Sequence, residues 1–301
     1  MMRNYSYKES MTTAASGVYK PTALTDSQLA ALKKTLAQMA MEVIQFCESN
    51  HICVMLGGGS ALGAVRHNGF IPWDDDLDLL MPRSDYERFS KLFDGVFNEK
   101  YVLVAPNRGK LRRDRFPKIM KKGTVMRSVG GIGSNAPSGV FLDVFILENI
   151  PKNKIHRYMK GMFCTALMFA GSRVQMYSVD NPVLRKMMEQ TEKSKKVYRS
   201  SLRWGRLLSV IPEKTWFDWI DRAVQYKHNT GLLGIPTGRK HYFGEILPSA
   251  VYLPTSKGMF EEHEVPLPSD CDTYLKNLYG DYMQIPPVEK REKHFIVELK
   301  L

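Results

Sequence analysis

With 301 residues, 44% of them hydrophobic, the chain can bury a substantial core, as one large domain or as one domain carrying an insertion. Its four cysteines, Cys47, Cys53, Cys164 and Cys271, are scattered with no C-x-x-C pair, which argues against a disulfide framework or a zinc site and for reduced thiols in a cytoplasmic protein. The formal charge of +12 asks for an anionic explanation that solubility covers only in part: nine Lys or Arg stand against Asp114 between Arg108 and Arg127, and eight against Glu189 and Glu192 between Arg185 and Arg206.

Residues 1–25 read as a flexible polar segment, and the stretch from Met1 to Glu9 lacks the apolar core of a signal peptide. Thr25-Asp-Ser-Gln28 has the form of a capping box. Leu29, Leu32, Leu36, Met39, Val43 and Phe46 then recur at three and four, which predicts an amphipathic helix. A strand over Ile52–Leu56, a turn at Gly57-Gly-Gly59 and a short helix from Ser60 to Arg66 follow. Backbone amides at such a turn can hold a phosphate, with the Ser60 hydroxyl as an added donor; a tight turn and nothing more is the alternative. Nucleotide loops of other kinds do not fit. Gly58 and Gly63 have Walker spacing, but Ala64-Val65 stands where Lys-Ser/Thr is required.

The acid run Trp73-Asp-Asp-Asp-Leu-Asp78 comes next. Asp76 and Asp78 alternate with Leu77 and Leu79, so a strand through them points both carboxylates to one face and the leucines into a core. Two such anions repel unless a cation lies between them, and a hard divalent ion, Mg²⁺ first and Mn²⁺ second, resolves this. A solvated turn is the bland alternative, against which the apolar Leu77-x-Leu79-Leu80-Met81 weighs. A calcium loop starting at Asp74 fails because its sixth position is Leu79, its twelfth is Asp85, and Pro82 intervenes. Asp74 and Asp75 are read as residues that position the strand and bind water.

A helix from Ser84 to Phe97, a strand over Tyr101–Ala105 and a hairpin turning at Lys121-Lys122-Gly123 are predicted in order. Ser138–Leu147 is then an apolar strand with Asp143 in its middle. Burying that acid alone is costly, so it must meet a cation, a strong donor or a salt bridge to a surplus basic residue. Residues 151–230 lack strand alternation and predict several helices; the apolar run Met162–Gly171 within them is too short to cross a bilayer. Trp204, Trp216 and Trp219 either line a groove or belong to the core. Short, proline-punctuated elements end the chain. No RNP-like strand, zinc finger or basic zipper accompanies the basic stretches, so nucleic acid is disfavoured as a partner.

Leu56-Gly-Gly-Gly-Ser60, Pro72-Trp-Asp-Asp-Asp-Leu-Asp78 and Phe141-Leu-Asp-Val-Phe145 together resemble the LicD family of phosphotransferases, a branch of the nucleotidyltransferase superfamily. Phe260-Glu261, Tyr274-Leu-Lys-Asn-Leu-Tyr-Gly-Asp-Tyr282, Pro286-Pro287 and Arg291 through His294 are similar to that family's C-terminal signature, so the resemblance covers roughly residues 26–147 and 240–296. It implies an α/β (α+β), nucleotidyltransferase-like fold: a small mixed sheet flanked by helices in a core over 26–150, a helical insertion over 151–238, and a C-terminal lobe over 239–301. It also implies metal-dependent transfer of a phospho-alcohol group from a CDP-activated donor such as CDP-choline to a hydroxyl of a cell-surface glycan or lipid-linked glycan, as in lipopolysaccharide or teichoic acid modification, with release of CMP.

In that scheme Asp76, Asp78 and Asp143 hold Mg²⁺, with Asp143 either completing the metal set or accepting the acceptor's proton. Gly58, Gly59 and Ser60 cradle a phosphate, Arg66 and Lys118 are candidate phosphate contacts, and His294 is a candidate donor or acceptor contact. The expected place is the cytoplasm, with peripheral contact at the inner face of an anionic membrane. The alternatives are a true nucleotidyltransferase attacking the α-phosphate and a non-catalytic basic protein that binds RNA or membrane.

Overall fold

The computed structural model describes residues 24–106, 108, 115–128, 131–132, 138–288, 291 and 296–301. Helix α1 (Asp26–Ser49) opens on the expected capping box: Thr25 Oγ1 accepts from the Gln28 amide at 3.2 Å, and Gln28 Oε1 accepts from the Thr25 amide at 3.0 Å. Its apolar stripe, Leu32, Leu36, Met39, Val43 and Ile44, is buried in the main core. The chain then forms β1 (Met55–Leu56), α2 (Gly58–His67), β2 (Asp78–Pro82) and α3 (Arg83–Phe97). Strand β1 is shorter than predicted, and α2 opens at Gly58 rather than Ser60. Strands β3 (Tyr101–Val104), β4 (Lys118–Lys121), β5 (Val125–Ser128) and β6 (Phe141–Asn149) follow.

The mixed α/β architecture rests on a sheet in which β1, β2, β6, β4 and β3 lie side by side. Strand β6 is its middle: it runs parallel to β2 and antiparallel to β4. Leu142, Val144, Leu79 and Leu77 are buried on this sheet, as the alternation around both acid positions requires. The predicted hairpin at Lys121-Lys122-Gly123 does not pair with itself. A turn is present, with Gly123 at φ +74°, but β4 pairs with β3 and β6. Strand β5 departs to pair with β11 (Ile296–Lys300) at the far end of the chain. Thr124 directs the departure, because its Oγ1 accepts from the Val140 amide at 3.0 Å and donates to the Lys121 carbonyl at 2.8 Å.

Four helices make up the region after β6, as its lack of alternation predicts: α4 (Lys154–Ser178), α5 (Pro182–Met188), α6 (Glu192–Leu208) and α7 (Glu213–Val224). Trp216 is core, whereas Trp204 and Trp219 are exposed. An ion network ties α7 to the sheet. Arg83 at the start of α3 donates from Nε to Glu148 Oε1 at 2.9 Å and from Nη2 to Asp221 Oδ1 at 2.9 Å, while Gln225 donates to Asp221 at 3.0 Å. Glu148, one residue before the end of β6, is almost fully buried; burial pushes its carboxyl up, and the Arg83 charge opposes that shift.

The rest of the chain comprises β7 (Leu232–Gly234), α8 (His241–Gly244), β8 (Leu247–Pro248), α9 (Ser249–Tyr252), β9 (Ser256–Phe260), β10 (His263–Leu267) and α10 (Cys271–Tyr279). Strand β7 joins the end of β6, and β9 and β10 form a separate hairpin. Among the described residues no helix is long and apolar enough to cross a membrane.

Glu245, beside α8, is 2% exposed, and its carboxylate accepts from the Lys240 amide at 2.7 Å. Burial raises its carboxyl to about 7 from an ordinary 4.5. A raised acid is protonated on folding, so its stabilisation is complete below about pH 4.5 and is lost as pH climbs through about 7. At about 1.4 kcal/mol per pH unit the swing is about 3 kcal/mol. Glu245→Gln, which keeps the acceptor, is therefore expected to remove most of this loss, so that urea unfolding at about pH 8 shows the variant more stable than wild type while the two converge at about pH 4.5.

Candidate active site

One rung of the sheet carries the site. Parallel pairing of β2 with β6 sets Asp78 opposite Asp143, and antiparallel pairing of β4 with β6 sets Lys118 opposite Asp143 on the other side. Residues in register on adjacent strands share a face, so an acid, an acid and an ammonium stand in a row. Lys118 Nζ donates to Asp143 Oδ1 at 2.6 Å, and both side chains are buried. The ammonium also lies 3.7 Å from the Phe141 ring centroid and 5.2 Å from that of Phe116.

Asp76 joins the row from the segment just before β2. Carboxylate oxygens of Asp76, Asp78 and Asp143 all lie within 4.8 Å of one another, and those of Asp74, Asp75 and Asp76 form a second such group. The donor set is all oxygen, anionic and convergent, which suits a hard divalent cation, and the cluster could hold one. Asp76 precedes the strand rather than lying in it, yet the alternation survives: Leu77 and Leu79 are fully buried while Asp76 and Asp78 are half-buried. Asp75 is 7% exposed, deeper than a residue that merely binds surface water.

The glycine turn packs directly on these acids. Gly58 has φ +47°, a conformation that favours glycine, and a Cβ on it would lie 2.3 Å from Asp78 Oδ2; one on Gly59 would lie 2.8 Å from Asp74 Oδ2. Ser60 Oγ accepts from the Asp78 amide at 2.9 Å, and the Gly57 amide donates to the Asp78 carbonyl at 2.9 Å. The first turn of α2 is thus fixed to the strand that bears Asp78. Its amides have no acceptor within the helix, and that of Gly58 donates to the hydroxyl of Tyr274 at 2.9 Å.

Tyr274 is one of several C-terminal contacts that sequence reasoning did not assign. Burial holds its phenol well above the ordinary range, so it is a neutral hydrogen-bonding group. Glu261 accepts from the Phe70 amide at 3.0 Å, and the Arg291 guanidinium lies 4.1 Å from the Trp73 ring centroid. Lys33 from α1 donates to the carbonyls of Ile71 and Pro72 at 3.0 and 2.9 Å. The acid loop is therefore braced from the N-terminal helix and from the C-terminal segment at once. Tyr274, Glu261 and Arg291 all fall in the C-terminal motifs, which was the available signal; Lys33 carried none.

Of the remaining sequence candidates, Arg66 donates to the carbonyls of Tyr282 at 2.5 Å and Gln284 at 3.5 Å, at the far end of α2 from the glycine turn. Lys118 is placed on Asp143. His294 lies outside the described residues, as do residues 1–23 of the N-terminal segment and Lys110, Arg112 and Arg113 of the first basic stretch. Burial pushes the Cys164 thiol up to about 11, which removes it as a thiolate nucleophile.

Residues 51–137, which hold the glycine turn, the acid run and β4, match the family described as LicD/FKTN/FKRP, nucleotidyltransferase domain. The chain carries a LicD-family domain, and over most of its length it is similar to a LicD phosphotransferase. Over 263 residues it is 27% identical to the lipopolysaccharide cholinephosphotransferase LicD of Haemophilus influenzae, covering 84% of this chain and 90% of that protein. Shorter matches join it to uncharacterised proteins of Rickettsia typhi, 36% identical over 58 residues, and Rickettsia prowazekii, 39% identical over 51 residues, each about a fifth of the relative's length.

Two substitutions are expected to act with opposite sign on this rung. Asp78→Asn relieves repulsion between neighbouring carboxylates, so without divalent cation the variant should melt no lower than wild type and should lose the Mg²⁺-induced rise in Tm. Lys118→Met leaves Asp143 buried beside Asp78 without its ammonium and should cost about 3 kcal/mol or more. Thermal melts with and without Mg²⁺ check both; an Asp78→Asn protein that unfolds outright would show Asp78 to be a structural ion-pair partner instead.

Proposed function

We propose that the protein transfers a phospho-alcohol group, phosphocholine or a close analogue, from a CDP-activated donor to a hydroxyl of a cell-surface glycan or its lipid-linked precursor, releasing CMP. The observation that carries this reading is the convergence of Asp76, Asp78 and Asp143 against the glycine turn. The homology to a lipopolysaccharide cholinephosphotransferase supports the choice of transferred group and acceptor class.

A divalent cation held by the three carboxylates, Mg²⁺ before Mn²⁺, would neutralise the donor diphosphate and the charge that develops on the leaving oxygen. The chain's own residues supply the positioning. Ser60, which accepts from the Asp78 amide, keeps its hydroxyl proton to donate to a phosphate oxygen. With the amide of Gly59 it forms the cradle at the start of α2, whose helix dipole favours an anion there; the Gly58 amide, expected in the cradle, is instead given to the Tyr274 hydroxyl. Lys118 keeps Asp143 fixed in the row and Arg66 holds the C-terminal segment against α2, so of the secondary candidates His294 remains as a contact for the donor. Asp143 completes the carboxylate set or accepts the acceptor's proton. The reaction is assigned to the cytoplasm, with the acceptor met at the inner face of the membrane.

The nucleotidyltransferase description of the matched domain makes attack at the nucleoside-bearing phosphate the competing reading, and the products separate the two. Displacement at the alcohol-bearing phosphate breaks its bond to the bridging oxygen and leaves CMP; attack at the other phosphorus leaves phosphocholine and a cytidylylated acceptor. Incubating the protein with CDP-choline, divalent cation and cell-envelope glycan should release CMP in step with glycan labelling. Single Asp76→Asn, Asp78→Asn and Asp143→Asn variants should each lose about a hundredfold or more in rate. Free phosphocholine with nucleotide on the glycan would overturn the proposed reaction.

A further inference from the structure

Helix α4 has two apolar faces. Its inner face, with Gly161, Cys164 and Met168, packs on Phe217, Ile220 and Tyr242. Its outer face carries Ile155, Tyr158, Met159, Met162 and Phe163, recurring at three and four, and Phe169 two turns beyond Met162, and all are exposed: Ile155 by 75%, Met159 by 66% and Phe163 by 59%. Between Ile155 and Phe169 the stripe is about 20 Å long at 1.5 Å per residue. Phe243, itself exposed, comes from α8 to lie 6.2 Å from the Tyr158 ring and widens the patch. Isolated exposed apolar residues need no explanation, but a continuous stripe of this kind does.

Charge identifies what covers it. Across its 25 residues α4 contains no Asp or Glu, while Lys154, His156, Arg157, Lys160 and Arg173 lie along it. Lys152 and Lys154 are exposed at its start, and Lys160 is drawn back to the Gln225 carbonyl at 2.9 Å, clear of the apolar stripe. An apolar face of Met, Phe, Tyr and Ile with basic flanks and no acid complements the interface of an anionic bilayer, where side chains enter the acyl boundary and lysines meet headgroup phosphates. The helix cannot cross the bilayer, so it lies along it.

We propose that the outer face of α4, with Phe243, docks the protein on the surface of anionic phospholipid membranes. The inference names the surface for the peripheral location assigned above and uses no step of the transfer chemistry. Vesicle binding needs neither donor nor acceptor, so failure of the nucleotide assay leaves this proposal standing, and failure of vesicle binding leaves the reaction standing.

The test is co-sedimentation of the full chain with vesicles of phosphatidylcholine alone or mixed with phosphatidylglycerol, at low and high salt. Wild type should partition onto the mixed vesicles, less onto phosphatidylcholine, and less at high salt. The double variant Met159→Glu, Phe163→Glu should lose about tenfold or more of that partition with its Tm unchanged. Should it fail to fold, Met159→Ser with Phe163→Ser replaces it, and a Met162→Trp reporter should blue-shift on adding mixed vesicles. Equal partition of wild type and variants, or no partition of wild type, overturns the proposal. So does a concentration-dependent dimer, seen by light scattering and lost in the variant, that binds no vesicles, since the face would then join copies of the chain.

Discussion

The parallel pairing of β2 with β6 is the constraint on which the site depends. It alone puts Asp78 and Asp143, 65 positions apart in the chain, on one rung and one face. Two buried or half-buried carboxylates in that relation are unfavourable by themselves. The fold sustains them because the opposite face of the same strands buries Leu77, Leu79, Leu142 and Val144, and because a one-residue slip in register would exchange the two sets completely. Lys118 offsets part of the charge from the next strand, and the remaining negative potential makes the cluster a place that could hold a divalent cation.

The second constraint is closure by the C-terminal segment. Tyr274, Glu261 and Arg291 reach, respectively, the Gly58 amide, the Phe70 amide and the Trp73 ring. Arg66 reaches the other way, to the Tyr282 and Gln284 carbonyls. The glycine turn and the acid loop are short irregular segments that could not hold sub-ångström positions unaided. Their support comes from residues about 200 positions away, and the Tyr252 and Tyr274 rings, 5.6 Å apart, link that support to the buried Glu245 region. The C-terminal motifs thus earn a physical account as scaffolding for the turn and the loop.

Much of this was legible in the chain. The capping box and the three-four spacing fixed α1, the alternation around Asp78 and Asp143 located both site strands, and the absence of alternation after residue 150 announced α4 to α7. What failed was pairing that depends on remote partners. Lys121-Lys122-Gly123 has hairpin chemistry, yet β5 finds β11 and β4 finds β6, and nothing local in either strand encodes those choices. The same holds for Lys118: its proximity to a motif suggested a phosphate contact, but register places it on Asp143. Asp75 was read as a residue that positions the strand and binds water, and its burial is not encoded by its polar neighbours in sequence.

The helical region bears on the site through β6. That strand carries Asp143 near its start and Glu148 near its end, and five residues beyond Asn149 the chain enters α4. From Asp143 to Asn149 the strand spans about 20 Å at 3.3 Å per residue. Arg83, bonded to both Glu148 and Asp221, locks the start of α3 and the flank of α7 to that same strand end, and α7 in turn packs against the inner face of α4. A surface presented by α4 is therefore referenced to the carboxylates through one strand and one ion network rather than through a loose linker.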